Sequence, residues 1–177
     1  MQAEMAAPAG TGPTTALSVP EQAAARAAMD EALRYLSQLS PPSLADLGQH
    51  YTEDARFKDP FQEVWGLEAV RLVYGHMFET LVRPRFVITS RVQEGAECFV
   101  TWDFVFEAAS WQQGREQCIR GSSQLLMRQD AGVWRIVSHR DYWDVVEELY
   151  EKIPLLGGLM RWLKRRVAVP GLDAFKK

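Results

Sequence analysis

The sequence predicts an α+β domain in which N-terminal helices pack on one face of a curved antiparallel sheet. Two observations predict it. Apolar residues recur every three to four positions in the first part of the chain and every second position from Pro84 onward. The strand-like segments then follow one another with short turns, so helices precede strands rather than alternate with them. A chain of 177 residues that is 47% hydrophobic has the size of one domain and enough apolar side chains for a sizeable core.

Each element has its own local reason. Ser18 followed by Glu21 forms a capping-box pattern with Pro20 in the first turn, which starts a helix running to about Leu39. Ala25, Ala28, Ala32, Tyr35 and Leu39 recur at helical spacing, with Met29, Leu33 and Leu36 beside them. Pro41 and Pro42 stop this helix, and a short one spans Ser43 to His50. The segment FKDPF closes a strand over 55–59, in which Ala55, Phe57 and Asp59 share one face. Gly66 leads into a helix to about Leu81, with Val70, Val73, Met77 and Leu81 on one side. Phe86, Ile88 and Val92 mark the next strand, and Gly95 a turn. Cys98, Val100, Trp102, Phe104 and Phe106 then line one face of a long strand. Further strands run from about Arg115 to Met127 and from Val133 to Trp143, joined by a turn at Asp130 to Gly132.

Composition excludes several classes. The net charge is -3, and residues 161–177 carry six basic side chains against Asp173 alone, so the body is acidic and the tail basic. An acidic body without a basic stripe argues against nucleic acid as a partner. His50, His76 and His139 lack metal-ligand spacing, and there is no glycine-rich phosphate loop or G-x-S-x-G elbow, so no metal or cofactor is expected. Cys98 and Cys118 have neither metal-type nor redox-type spacing, which fits a reducing compartment. The first 20 residues lack a basic n-region and a continuous apolar run, and read as a disordered arm. A cytoplasmic protein is expected.

The order of elements, the Tyr35 helix, the FKDPF strand and the closing VWRIVSHRDYWD together resemble the nuclear transport factor 2-like superfamily, in its SnoaL-like and ketosteroid isomerase-like branch. The resemblance covers about residues 22–144 and implies a cone-shaped sheet that encloses an apolar cavity with the first helices. In ketosteroid isomerases a tyrosine in a segment like LRYLSQL donates to the substrate and an aspartate in a segment like FKDP is the base. Carried onto this chain, these are Tyr35 and Asp59. Ser122 and Ser123 stand where the family's protonated aspartic acid completes its oxyanion hole, which leaves a weaker donor there. If the last strand keeps the family's register, His139, Asp141 and Trp143 face the cavity, and Asp141 rivals Asp59 as acid or base, as in the SnoaL-like cyclases.

Each role has a plainer counterpart. Asp59 caps a turn through backbone N–H groups, Tyr35 bonds to protein, and His139 and Asp141 pair with each other or with Arg120. Trp102, Phe104 and Phe106 are core residues that, as cavity walls, suit a bulky apolar ligand contacted also by Ser123 and Trp143.

The expected organisation is an arm over 1–20, the cone domain over 21–145 and a basic amphipathic tail over 146–177. In that tail Leu155, Leu156, Leu159, Trp162 and Leu163 form an apolar stripe beside Arg161, Lys164, Arg165 and Arg166. Its apolar stretch falls far below the roughly 20 apolar residues that span a bilayer. It either lies at a membrane interface with Trp162 among the headgroups or packs on the domain or across a dimer. The expected function is binding of a lipophilic small molecule with isomerase- or cyclase-type proton transfer, Asp59 being the base, in a homodimer. The alternatives are a non-catalytic binding or dimerisation module and a membrane-peripheral adaptor using the tail.

Overall fold

In the computed structural model, residues 17–108, 115–148 and 156–167 are described. The expected N-terminal arm therefore lies outside the described residues up to position 16.

Helix α1 spans Val19–Ser37 and starts as its cap predicts: the Ser18 hydroxyl accepts from the Glu21 amide while the Glu21 carboxylate accepts from the Ser18 amide at 2.8 Å. A 3₁₀ turn, Pro42–Asp46, leads into α2, Leu47–His50. Strand β1, Tyr51–Lys58, is followed by the short β2, Glu63–Trp65, and by α3, Leu67–Thr80. Gly66, at φ +94°, turns the chain from β2 into α3 in a conformation that β-carbon-bearing residues avoid. The long strands are β3, Leu81–Glu94; β4, Glu97–Ala108; β5, Glu116–Asp130; and β6, Val133–Tyr142. Two helices follow, α4, Val145–Glu148, and α5, Leu156–Val167.

The six strands form one curved, unclosed sheet in the order β2-β1-β6-β5-β4-β3. Neighbours along β3 to β6 are antiparallel, as the period-two reading predicts. The exception is β1, which pairs parallel to β6 with Phe57 opposite His139 and Lys58 opposite Arg140. One step beyond this register lie Asp59 and Asp141, so the parallel crossover brings FKDPF alongside HRDYWD.

Two expectations for this region need correction. Strand β1 begins at Tyr51 rather than residue 55, because a register shift between Tyr51 and Arg56 breaks its alternation: Tyr51 and Thr52 are both buried, Glu53 and Asp54 both exposed. Strand β2 was not foreseen, being three residues of a return stroke in a segment that has no apolar alternation.

The core lies between the helices and the concave face of the sheet. Met29, Ala32, Leu33 and Leu36 of α1 and Val70 and Tyr74 of α3 pack against Val100, Trp102, Leu125, Met127 and Ile136. The Trp102 indole lies flat over Gly121 on the neighbouring strand. A β-carbon at Gly121 would overlap the indole's six-membered ring, with atoms of the ring at 2.6 and 2.8 Å. Glycine is thus the residue that lets this large ring lie on the sheet.

On the outer side Arg128 of β5 holds both carboxylate oxygens of Asp54, at 2.7 and 3.0 Å, and these hydrogen bonds push Asp54 down to about 2. A carboxylate depressed in the folded state contributes stability above its unfolded pKa of about 4 and loses it as pH falls through the folded value.

Two measurements check this packing. Gly121→Ala should destabilise the domain by about 1–3 kcal/mol, as overpacking does, read as a fall in the thermal or urea midpoint. In acid titrations monitored by circular dichroism, wild-type stability should decline between about pH 4 and pH 2 more than that of Asp54→Asn, by a small amount because the pair is solvent-exposed.

Candidate functional site

A cavity of about 390 Å³ opens between α3 and the concave sheet face. Its walls are aromatic and aliphatic: Phe57, Phe61, Phe86, Trp102, Phe104, Phe106, Ile119 and Trp143 from the sheet side and its rim, Val73, Met77 and Leu81 from α3 and its end. The size falls within the range of pockets that enclose a small organic molecule. Its polar tips are Asp59, Gln62, Tyr74, His76, Thr80 and Asp141. Among the described residues, neither lysine nor arginine lines it.

Asp141 is the most deeply placed carboxylate of the cavity, its side chain 13% exposed. Five residues from five elements are linked to it or through it. Its Oδ1 accepts the Ser123 hydroxyl and lies 2.9 Å from His139 Nε2. With the carboxylate accepting and the imidazole neutral, Nε2 carries the proton and Nδ1 is left as an acceptor. The Tyr51 hydroxyl, 2.6 Å from Nδ1, donates to it, and the Tyr74 hydroxyl, 3.0 Å from that of Tyr51, donates in turn. On the other branch Trp102 Nε1 donates to Ser123 Oγ at 2.7 Å. Every proton in this network therefore points toward Asp141. Tyr51 and Tyr74 are enclosed in the core, and burial raises both phenols, so they remain proton donors throughout the physiological range.

Several expected site residues are brought together here. Asp141, Trp102, Phe104, Phe106 and Trp143 all line the cavity. His139 stands behind Asp141, and with Ser123 borders a separate void of about 20 Å³ rather than the cavity itself.

Two expected roles are corrected. Asp59 lines the cavity at its rim, but its Oδ1 accepts from the backbone amides of Phe61 and Gln62, both at 2.8 Å, and its Oδ2 from Gln62 Nε2 at 3.1 Å. It closes the turn after β1, the plainer of its two readings, because Asp-Pro ends the strand and leaves two amides without ladder partners. Tyr35 is not among the cavity-lining residues. Its hydroxyl donates to the Ser43 carbonyl at 2.8 Å and its ring stacks on His50 with centroids 4.0 Å apart, fixing the corner between α1 and α2. Arg120, on the sheet's outer face, reaches Asp103 and not Asp141.

Tyr51 and Tyr74 were missed. Tyr74 follows Val70 by one helical step and belonged to the stripe read from α3. Tyr51 had no such signal, since the bulge in β1 takes it out of the alternation.

Similarity to known proteins agrees with this geometry. The model of a SnoaL-like domain matches residues 32–139. Among solved structures, a candidate SnoaL-like polyketide cyclase from Jannaschia sp. CCS1 superposes with a TM-score of 0.59 at 13% identity, covering 75% of this chain and 94% of that one. An LEH-like epoxide hydrolase from M. tuberculosis gives 0.57 at 18% identity, covering 82% and 99%. A ketosteroid isomerase-like protein from Erwinia carotovora atroseptica gives 0.53 at 21% identity, covering 70% and 96%. At these identities the likeness is one of fold. No curated protein matches the chain.

Two conservative substitutions separate the network from the corner. Tyr51→Phe should lower stability by about 1–3 kcal/mol, because it deprives a buried imidazole nitrogen of its donor. Tyr35→Phe should cost about 1 kcal/mol and leave binding of any cavity ligand unchanged. Urea denaturation read by tryptophan emission checks the first; ligand titration of both variants checks the contrast.

Proposed function

The chain belongs to the SnoaL-like domain family, and on that premise we propose that it binds a lipophilic small molecule in the 390 Å³ cavity and moves a proton on it, with Asp141 as the base. The observation that carries this reading is a carboxylate on an apolar cavity wall with its orientation fixed by hydrogen bonds from His139 and Ser123. Such a group can take a proton from a carbon next to a carbonyl, or from a polyunsaturated framework, and return it at another position. That is the elementary step of isomerase- and cyclase-type chemistry, which requires the base to be held within reach of the ligand rather than loose in solvent.

The charge of the walls narrows the ligand. Asp59 and Asp141 are the carboxylates there, and among the described residues no lysine or arginine lines the cavity with them, so its lining disfavours an anionic ligand. The fitting class is a bulky apolar molecule, neutral or cationic, with an enolisable or conjugated carbonyl. Self-association belongs to the same reading: Val92, Phe99 and Leu126 leave an apolar patch on the outer sheet face, 71%, 47% and 40% exposed.

Native mass spectrometry followed by denaturing extraction should show a retained apolar molecule and two associated chains. Hydrogen–deuterium exchange at activated positions of polycyclic ketones, followed by NMR in deuterated buffer, should be catalysed by the wild-type protein. Asp141→Asn should slow it by about 100-fold or more, and Asp59→Asn by only a few-fold. Equal rates for wild type and Asp141→Asn would remove Asp141 as the base.

A further inference from the structure

Helix α5 has no place in the cavity chemistry, and its composition is unlike that of the domain. Its twelve residues, LGGLMRWLKRRV, contain four basic residues and no acidic one, whereas the whole chain carries a net charge of -3. Leu159 and Leu163 are one helical turn apart and expose 50% and 42% of their surface, and Trp162 beside them exposes 46%. Leu156, three residues before Leu159, and Val167, four after Leu163, continue the helical spacing in the sequence. The Arg166 guanidinium lies over the Trp162 ring, 5.0 Å from its centroid. No described helix is long and apolar enough to cross a membrane.

We propose that α5 is a membrane-surface helix that inserts Leu159, Trp162 and Leu163 among the acyl chains and headgroups of an anionic bilayer. An exposed leucine stripe with a tryptophan at its side gains by leaving water, but it would do so equally in any apolar setting. Charge selects the occupant. Four basic residues confined to a short helix meet a lipid surface dense in negative charge, and each near such a surface strengthens binding by about five-fold. A cation held over an indole ring is a compact unit for the headgroup layer, where the ring's apolar body and its N–H find different surroundings within a few ångströms. The acidic remainder of the chain is repelled by the same surface, so contact is confined to α5. A short helix of this kind gives reversible attachment, which salt weakens by screening.

The test uses the full chain and vesicles of phosphatidylcholine, with or without 30–40% (roughly) phosphatidylglycerol, in a flotation assay at low and at near-physiological salt. The expected result is flotation with the anionic vesicles that weakens as salt rises and falls at least ten-fold with neutral ones. Leu159→Ser with Leu163→Ser, and separately Lys164→Glu with Arg165→Glu, should each reduce it at least ten-fold while the circular dichroism melt stays unchanged. Absence of flotation with anionic vesicles would overturn the proposal. So would flotation that survives both double variants, or equal flotation on both lipid compositions. If, instead, the leucine variant changes the oligomeric state without affecting flotation, α5 is a contact between copies of the chain and the proposal falls.

Discussion

A carboxylate that faces an apolar cavity must be satisfied by donors, and in this fold the donors come from nearly every layer. His139 shares β6 with Asp141, Ser123 lies on β5 and Trp102 on β4, while Tyr51 and Tyr74 reach in from β1 and α3. Each group satisfies the next, and the direction of donation leaves the chain of protons ending on one oxygen. The arrangement of strands follows from this requirement as much as from apolar packing. The parallel pairing of β1 beside β6 brings the Tyr51 hydroxyl to 2.6 Å from His139 Nδ1; without it that buried nitrogen would keep only the longer contact with the Tyr74 hydroxyl at 3.4 Å.

Much of the fold was legible because its causes are local. The Ser18 and Glu21 cap, the proline pair that ends α1 and the strict alternation from Cys98 to Phe106 each act within a few residues, and the structure follows them closely. The aromatic cavity wall was legible for the same reason, since Trp102, Phe104 and Phe106 share one face whatever the rest of the chain does. What could not be read is non-local. The pairing of β1 with β6 joins segments more than eighty residues apart, and it is this pairing that sets Asp59 and Asp141 side by side. Composition alone offers no means of ranking the two. The ranking comes from what each carboxylate is bonded to: backbone amides of its own turn for Asp59, a polar network from four other segments for Asp141.

The exchange of roles between Tyr35 and Tyr74 has a similar origin. Both sit on helices that cover the concave face, and both project from an apolar stripe. Tyr35 meets the 3₁₀ turn made necessary by Pro41 and Pro42, and its hydroxyl is taken by the Ser43 carbonyl that the turn leaves exposed. Tyr74 lies where α3 spans the open end of the sheet, so its hydroxyl finds Tyr51 and the cavity instead. A tyrosine in the first helix is thus a structural part here, and the helical tyrosine that joins the polar network comes from across the cavity.

The network also sets a limit on how the site can vary. A polar cluster in a core is stable only while each member keeps its partner, since a half-satisfied cluster leaves a desolvated group unpaired. Ser123 illustrates the point: its hydroxyl accepts from Trp102 while donating to Asp141, so it ties the orientation of the cavity's largest ring to that of its deepest carboxylate. Gly121, two positions earlier on the same strand, makes room for that ring. The shape of the cavity and the orientation of Asp141 are therefore coupled through a single segment of β5. A change that reshapes the aromatic wall there also turns the carboxylate, whereas changes at Val73 or Met77 on α3 alter the wall without touching the network. Diversification of ligand within this architecture is expected to begin on the α3 side.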